Sequence, residues 1–105
     1  MISKEEVEAA LSPVVVVALT DDAGTGEASE ESIHAAALVA EEEVRARVAP
    51  ALKLDDAAEL AGVLREAALA LAIERLFARR REIPPAPWPQ RAADARALLR
   101  GIAAG

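Results

Sequence analysis

Asp21 opens a stretch, Asp21-Asp22-Ala23-Gly24-Thr25-Gly26, that approaches the layout of a calcium loop. Such a loop needs oxygen ligands at alternate positions, a Gly at the sixth and a bidentate acid at the twelfth. Gly26 stands at the sixth position, but Ala23, Thr25 and Ser32 stand at the third, fifth and twelfth. Too few ligands remain to offset dehydration of the ion, so the stretch reads as a structural turn. Gly24-Thr25-Gly26 lacks the Lys and the glycine spacing of a phosphate loop. His34 is the single histidine and the only available base for a nucleophile–base–acid triad. Ser32 does not share its helix face, and Glu30 and Glu31 lie nearby, so His34 reads as a surface residue. Cysteine is absent, which excludes disulfides and thiol chemistry and, with one histidine, a zinc set. No catalytic residue, cofactor or metal is expected, and the chain does not read as an enzyme.

The remaining candidates are charged residues and one tryptophan. Glu74 falls inside an apolar stripe, where a lone carboxylate is costly; a pair with an arginine of a neighbouring helix, Arg45 or Arg47, would relieve it. Arg79, Arg80 and Arg81, with Arg91, Arg96 and Arg100, could touch phosphates. The formal charge of −6 argues against a dedicated nucleic-acid binder. It is compatible with a protein surface or a lining near packaged DNA. Glu41, Glu42 and Glu43 fan around a helix away from its apolar stripe, as a solvated or subunit-facing surface. Trp88 has two readings, an anchor on another subunit or a filler over Phe77 and Leu98 in its own.

The elements that must position these residues are all helices. Ser3-Lys4-Glu5-Glu6 is a capping box, and a short helix follows to about Leu11. Ser12-Pro13 is a second start signal. Four valines, Val14 to Val17, favour a strand, but no second strand offers a partner, so a short helix is expected from Pro13 to Leu19. A loop covers 20–28. Ser29 caps a third helix to about Ala49, with Ile33, Ala37, Ala40, Val44 and Val48 as its stripe. Pro50 ends it, and Ala51-Leu52-Lys53-Leu54 crosses to a long helix over about 56–81, capped by Asp55 or Asp56. Leu60, Val63, Leu64, Ala67 and Leu71 share one face of it. Residues 67–73 hold no polar side chain, so this helix must be covered on several sides. It is the central post. Four prolines among residues 82–89 form a stiff polyproline strap that carries Trp88 away from the post. Pro89 starts the last helix, which runs to about Ala103. The expected fold is one all-α domain over 1–105, about five helices around one post.

Composition points to assembly. Of the hydrophobic residues, 27 are Ala and only Phe77 and Trp88 are aromatic. Such a core is thin, and thin cores are often completed by oligomerisation. Charge is also split: residues 1–48 hold 11 acids and 3 bases, and residues 49–105 hold 7 acids and 9 bases. Oppositely charged ends can meet head to tail between copies. No run of 18 apolar residues suggests a membrane span, and the first residues lack the layout of a signal peptide. A bacterial cytoplasm, or a particle assembled there, fits these features.

The order of signals carries a resemblance. A short helix leads to Ala18-Leu19-Thr20-Asp21 and a Gly-containing Asp loop. A helix follows, then a crossover at Ala49-Pro50-Ala51-Leu52, and a long helix holding Ala72-Ile73-Glu74-Arg75-Leu76. The chain finishes Ala97-Leu98-Leu99-Arg100-Gly101-Ile102-Ala103-Ala104-Gly105. This resembles a Mu-like prophage family of small proteins of unknown function. That family is similar to the head–tail connector proteins of tailed phages, also called adaptor or head-completion proteins. The resemblance implies a structural homo-oligomer, a dodecameric ring docked beneath the portal protein at the head–tail junction of the virion. It would meet tail or tail-completion proteins, lie near packaged DNA, and catalyse nothing. Two other readings stand beside it: a helical protein-binding or regulatory module, antitoxin-like, and a small all-helical enzyme using Glu74 and the arginines on an anionic metabolite.

Overall fold

The computed structural model describes the backbone of residues 2–49 and 54–104, and the side chains of 2–49 and 60–104. Among these residues there are five helices and no strand: α1 (Lys4–Leu11), α2 (Pro13–Thr20), α3 (Glu30–Val48), α4 (Leu54–Arg79) and α5 (Trp88–Ala103). The all-α expectation holds, and the helix starts follow the capping chemistry. Ser3 Oγ accepts from Glu6 N, and the Glu6 carboxylate accepts from Ser3 N, closing the capping box. Ser12 Oγ accepts from Val15 N at 3.3 Å, with Pro13 as the first helical residue. Ser29 Oγ accepts from Ser32 N at 3.2 Å. The four valines are helical; α2 packs on α1 and α4, and that packing overrides strand propensity.

The post is α4, 26 residues long, packed against α2, α3 and α5. Its apolar run is buried at Ala67, Ala68, Ala70, Leu71, Ala72 and Ile73. The α3 stripe of Ile33, Ala37, Ala40, Val44 and Val48 is buried too. Glu31 and Ser32, near the start of α3, line the same groove as Ala78 and Arg79 at the end of α4, so the two helices run antiparallel. Alanines supply close approach, while Leu71, Ile73, Leu76 and Leu99 are the largest of the fully buried side chains.

Three details differ from the sequence reading. First, α4 begins at Leu54, so Asp55 and Asp56 stand inside its first turn and not ahead of it. Acids suit either place, because the first turn is the positive end of the helix dipole. The side chains of Asp55, Asp56 and Glu59 and the crossover at 50–53 lie outside the described residues. Second, α4 stops at Arg79 and not at Arg81. Glu82 N donates to Phe77 O at 3.1 Å and Arg81 N to Ala78 O at 2.9 Å. That pair is the Schellman pattern, which puts the residue past the helix end in left-handed backbone. Arg81 takes this place with φ +55°, where glycine is usual.

Third, the strap does not lead away from the post. Residues 82–85 are irregular, and a turn at 86–87, with a cis Ala86–Pro87 peptide, follows. Trp88 N donates to Pro85 O at 3.0 Å and α5 starts there, one residue before Pro89. The turn redirects the chain, and Trp88 shares a groove with Val63, Glu66 and Ala67, well before α4 ends.

Candidate functional site

Asp21 and Asp22 do different work on either side of one turn. Asp21 accepts from Thr25 N at 2.9 Å, Thr25 Oγ1 at 3.2 Å and Gly26 N at 2.7 Å. Those donors, the Thr25 N–H first, hold its carboxyl below the usual range. Both oxygens therefore serve the turn, and Gly24 and Gly26 supply its left-handed backbone at φ +71° and +81°. Asp22 reaches the far end of α4. Arg79 Nη2 donates to Asp22 Oδ2 at 2.6 Å, and Arg80 Nη2 stands 2.7 Å from Oδ1. The hydrogen bond from Arg79 lowers the Asp22 pKa. Arg79 Nη1 also donates to the Leu19 carbonyl at 2.6 Å, one of the carbonyls left free at the end of α2. Between them, Thr20 is fully buried; its hydroxyl donates to Val16 O at 2.8 Å and accepts from Ser29 N at 2.9 Å. Leu19 to Asp22 thus forms the joint of α2, α3 and α4.

This joint absorbs most of the basic cluster expected to be a free surface. Arg79 and Arg80 face Asp22 of their own chain, and only Arg81 projects from the helix end without a described ion pair. The acidic triplet is divided in the same way. Glu41 accepts from Ile2 N at 3.1 Å, and Glu42 is exposed. Glu43 Oε2 is buried between Arg47 Nε at 3.4 Å and Arg96 Nε at 3.6 Å. Glu41 and Glu43 thus face α1 and α5 of their own chain, which pack against α3, and Glu42 alone of the three is exposed.

Glu74 is paired, but with neither Arg45 nor Arg47. Its partner is Arg96 of α5, which donates to both carboxylate oxygens at 2.6 and 2.9 Å. The Arg96 hydrogen bond holds Glu74 below the usual carboxylate range. Arg96 is therefore withdrawn from the set that could touch phosphates. Arg65 pairs with Glu6, tying α4 to the capping box of α1. Neither pair was readable in advance, since a spacing of 22 or 59 residues leaves no periodic signal. His34 is exposed on α3.

Trp88 is 8% exposed and belongs to the core cluster of its own chain. The Arg91 guanidinium lies 4.8 Å from its ring centroid, within cation–π range.

Two open grooves flank the post. One, between α4 and α5, measures about 600 Å³ and is lined by Val63, Leu69, Trp88 and Leu98, with Glu66, Arg91 and Asp94 at the same groove. The other, between α3 and α4, measures about 640 Å³ and includes Ala35, Ala36, Val39 and Ala78 beside Glu31, Glu74, Arg75 and Arg79. Val63, Leu98, Leu38 and Val39 are more than a third exposed. Among the described residues no group of three metal-ligating side chains comes together, and no helix is long and apolar enough to cross a membrane. Comparison with family profiles, curated proteins and solved structures finds no match to this chain.

Proposed function

We propose that this chain is a structural subunit of a tailed-phage or prophage head–tail connector, built into a ring between portal and tail. The observation that carries this reading is the pair of unlike open grooves, each part apolar and part charged, on the two sides of α4. A ring needs two different, mutually complementary faces on each subunit. A compact helical domain with an alanine-rich core and unlike surfaces on the two sides of its longest helix suits the first part of that requirement. The resemblance of the chain's signal order to connector proteins supplies the place of the ring. Of its two best segments, Leu19-Thr20-Asp21 and the Ile102-Ala103-Ala104-Gly105 ending, the first lies within the joint of α2, α3 and α4. Arg75, Arg91 and Arg100 are exposed and would tolerate DNA passing through the ring by backbone proximity, with no base reading.

The test is to delete the gene from an inducible prophage and image the particles. DNA-filled heads without tails, restored by supplying the protein, are expected. Fully tailed particles in its absence would rule the reading out. A neighbouring toxin gene whose product binds this chain in place of the portal would favour the antitoxin-like module.

A further inference from the structure

Ile83 is the most exposed large hydrophobic residue described, at 87%. Its position is fixed from both sides. Glu82 before it donates its N–H to Phe77 O at 3.1 Å, and Arg81 is locked in left-handed backbone. Pro84 after it is half-buried and restricts Ile83 to extended backbone. An apolar side chain left in water gains nothing for its own chain, and the anchored backbone on either side of it lowers the ordering entropy that docking would cost. Arg81 and Glu82, the charged residues beside it, take part in none of the described ion pairs.

We infer that Ile83 is a knob that seats in the α4–α5 groove of a second copy of this chain. That groove offers Val63, Leu69 and Leu98 as apolar lining beside Trp88. Its charged residues complement those flanking the knob: Glu66 and Asp94 can receive Arg81, and Arg91 can receive Glu82. Asp94 already accepts from Gln90 Nε2 at 2.7 Å through one oxygen, Oδ1, which leaves Oδ2 for the incoming guanidinium. Knob and groove are different patches of one chain, so each contact leaves a free knob on one copy and a free groove on the next. Such contacts repeat head to tail and close into a ring if the rotation allows. The inference rests on the connector reading only in requiring copies to meet this way.

The test uses the full chain, in solution at high concentration and on the portal, followed by sedimentation. Ile83→Asp removes the knob, and Leu98→Lys blocks the groove; circular dichroism melts check folding, with Val63→Arg as the substitute if Leu98→Lys fails to fold. Each variant alone is expected to lose self-association by about tenfold or more. Mixed in equal amounts, they should form a one-to-one pair and nothing larger, because one intact knob and one intact groove remain. The chain has no native cysteine, so Ile83→Cys and Leu98→Cys copies should form a disulfide-linked pair under mild oxidation. Undiminished assembly by Ile83→Asp overturns the inference and leaves the connector reading standing if the portal is still bound. A mixture that stays monomeric while wild type assembles also overturns it, as does a wild-type chain monomeric in both settings. Knob-dependent assembly that never engages portal or tail keeps the inference and removes the connector reading.

Discussion

Arg96 on α5 holds both carboxylate oxygens of Glu74 on α4, at 2.6 and 2.9 Å, while its Nε lies 3.6 Å from Glu43 on α3. One guanidinium therefore ties three helices at a single level. Both side chains of the main pair remain about a third exposed, so solvent screening limits its strength. Arg96→Ala is expected to destabilise by roughly 1–2 kcal/mol, and a double-mutant cycle with Glu74→Gln to return a coupling near 1 kcal/mol. Urea unfolding in low and high salt checks this. A coupling of zero, or one indifferent to salt, would show that the pair is incidental.

Thr20 joins the end of α2 to the start of α3 through one hydroxyl. Thr20→Val keeps the shape but strips the Ser29 N–H of its acceptor, and an unmet buried donor costs about 1–3 kcal/mol. Thr20→Ser should lose less, since the acceptor survives. A Thr20→Val variant that loses nothing while Thr20→Ser is destabilised would mean that the methyl group matters and the hydroxyl does not.

Trp88 is buried among residues of its own chain. Trp88→Ala is expected to cost the monomer about 3–5 kcal/mol, read as a Tm lower by more than about 10 °C. A monomer that melts normally while assembly fails would assign the ring to a partner subunit.

Acid should unfold this protein through four carboxylates. Arg65 lowers Glu6, the Thr25 and Gly26 N–H groups lower Asp21, Arg79 lowers Asp22 and Arg96 lowers Glu74. Each has a folded pKa below its ordinary 3.8 or 4.5. In acid the unfolded chain therefore binds more protons, and stability falls as pH falls. The contribution is complete above about pH 5 and is lost progressively below the ordinary values. Asp22→Asn should make that loss shallower. An unchanged acid limb would indicate that the Asp22 clamp does not form in solution.

Arg81 occupies left-handed backbone past the end of α4. Arg81→Gly relieves the Cβ strain at that place and raises unfolded-state entropy, for a net gain of about 0.5–1 kcal/mol. A higher urea midpoint at unchanged slope is the expected readout, and a lower midpoint would mean that the arginine side chain outweighs the strain.

The local grammar of the chain was legible. Ser3, Ser12 and Ser29 each cap the helix that their neighbours announce, because capping involves residues only three apart. The α3 stripe was readable for the same reason, as period 3.6 alone selects Ile33 to Val48. The α2 valines are helical, as the lack of a partner strand predicts and their propensity does not. What was not legible depends on which helix lands beside which. Arg96 and Arg47 sit at comparable risk of facing Glu74 until the packing is known, and the turn at 86–87 decides where Trp88 goes. Arg79 and Arg80 looked like a free basic end because Asp22, 57 residues from Arg79, carries no sign of its destination. The Ile83 knob and the grooves are properties of surfaces and have no sequence period at all.

The valine helix has a consequence for the chain before it is folded. Val14 to Leu19 contains no charge and no proline, and its residues favour extended backbone. A six-residue window of that kind, when uncovered, stacks into dry cross-β zippers. In the folded chain Val16 and Leu19 are buried, and the segment is wound as α2 against α1 and α4. The joint at Leu19 to Asp22 holds the end of that segment in place. Its clamp thus keeps an extended-prone apolar segment covered, and a variant that opens it, such as Arg79→Ala, is expected to aggregate at a lower temperature than wild type.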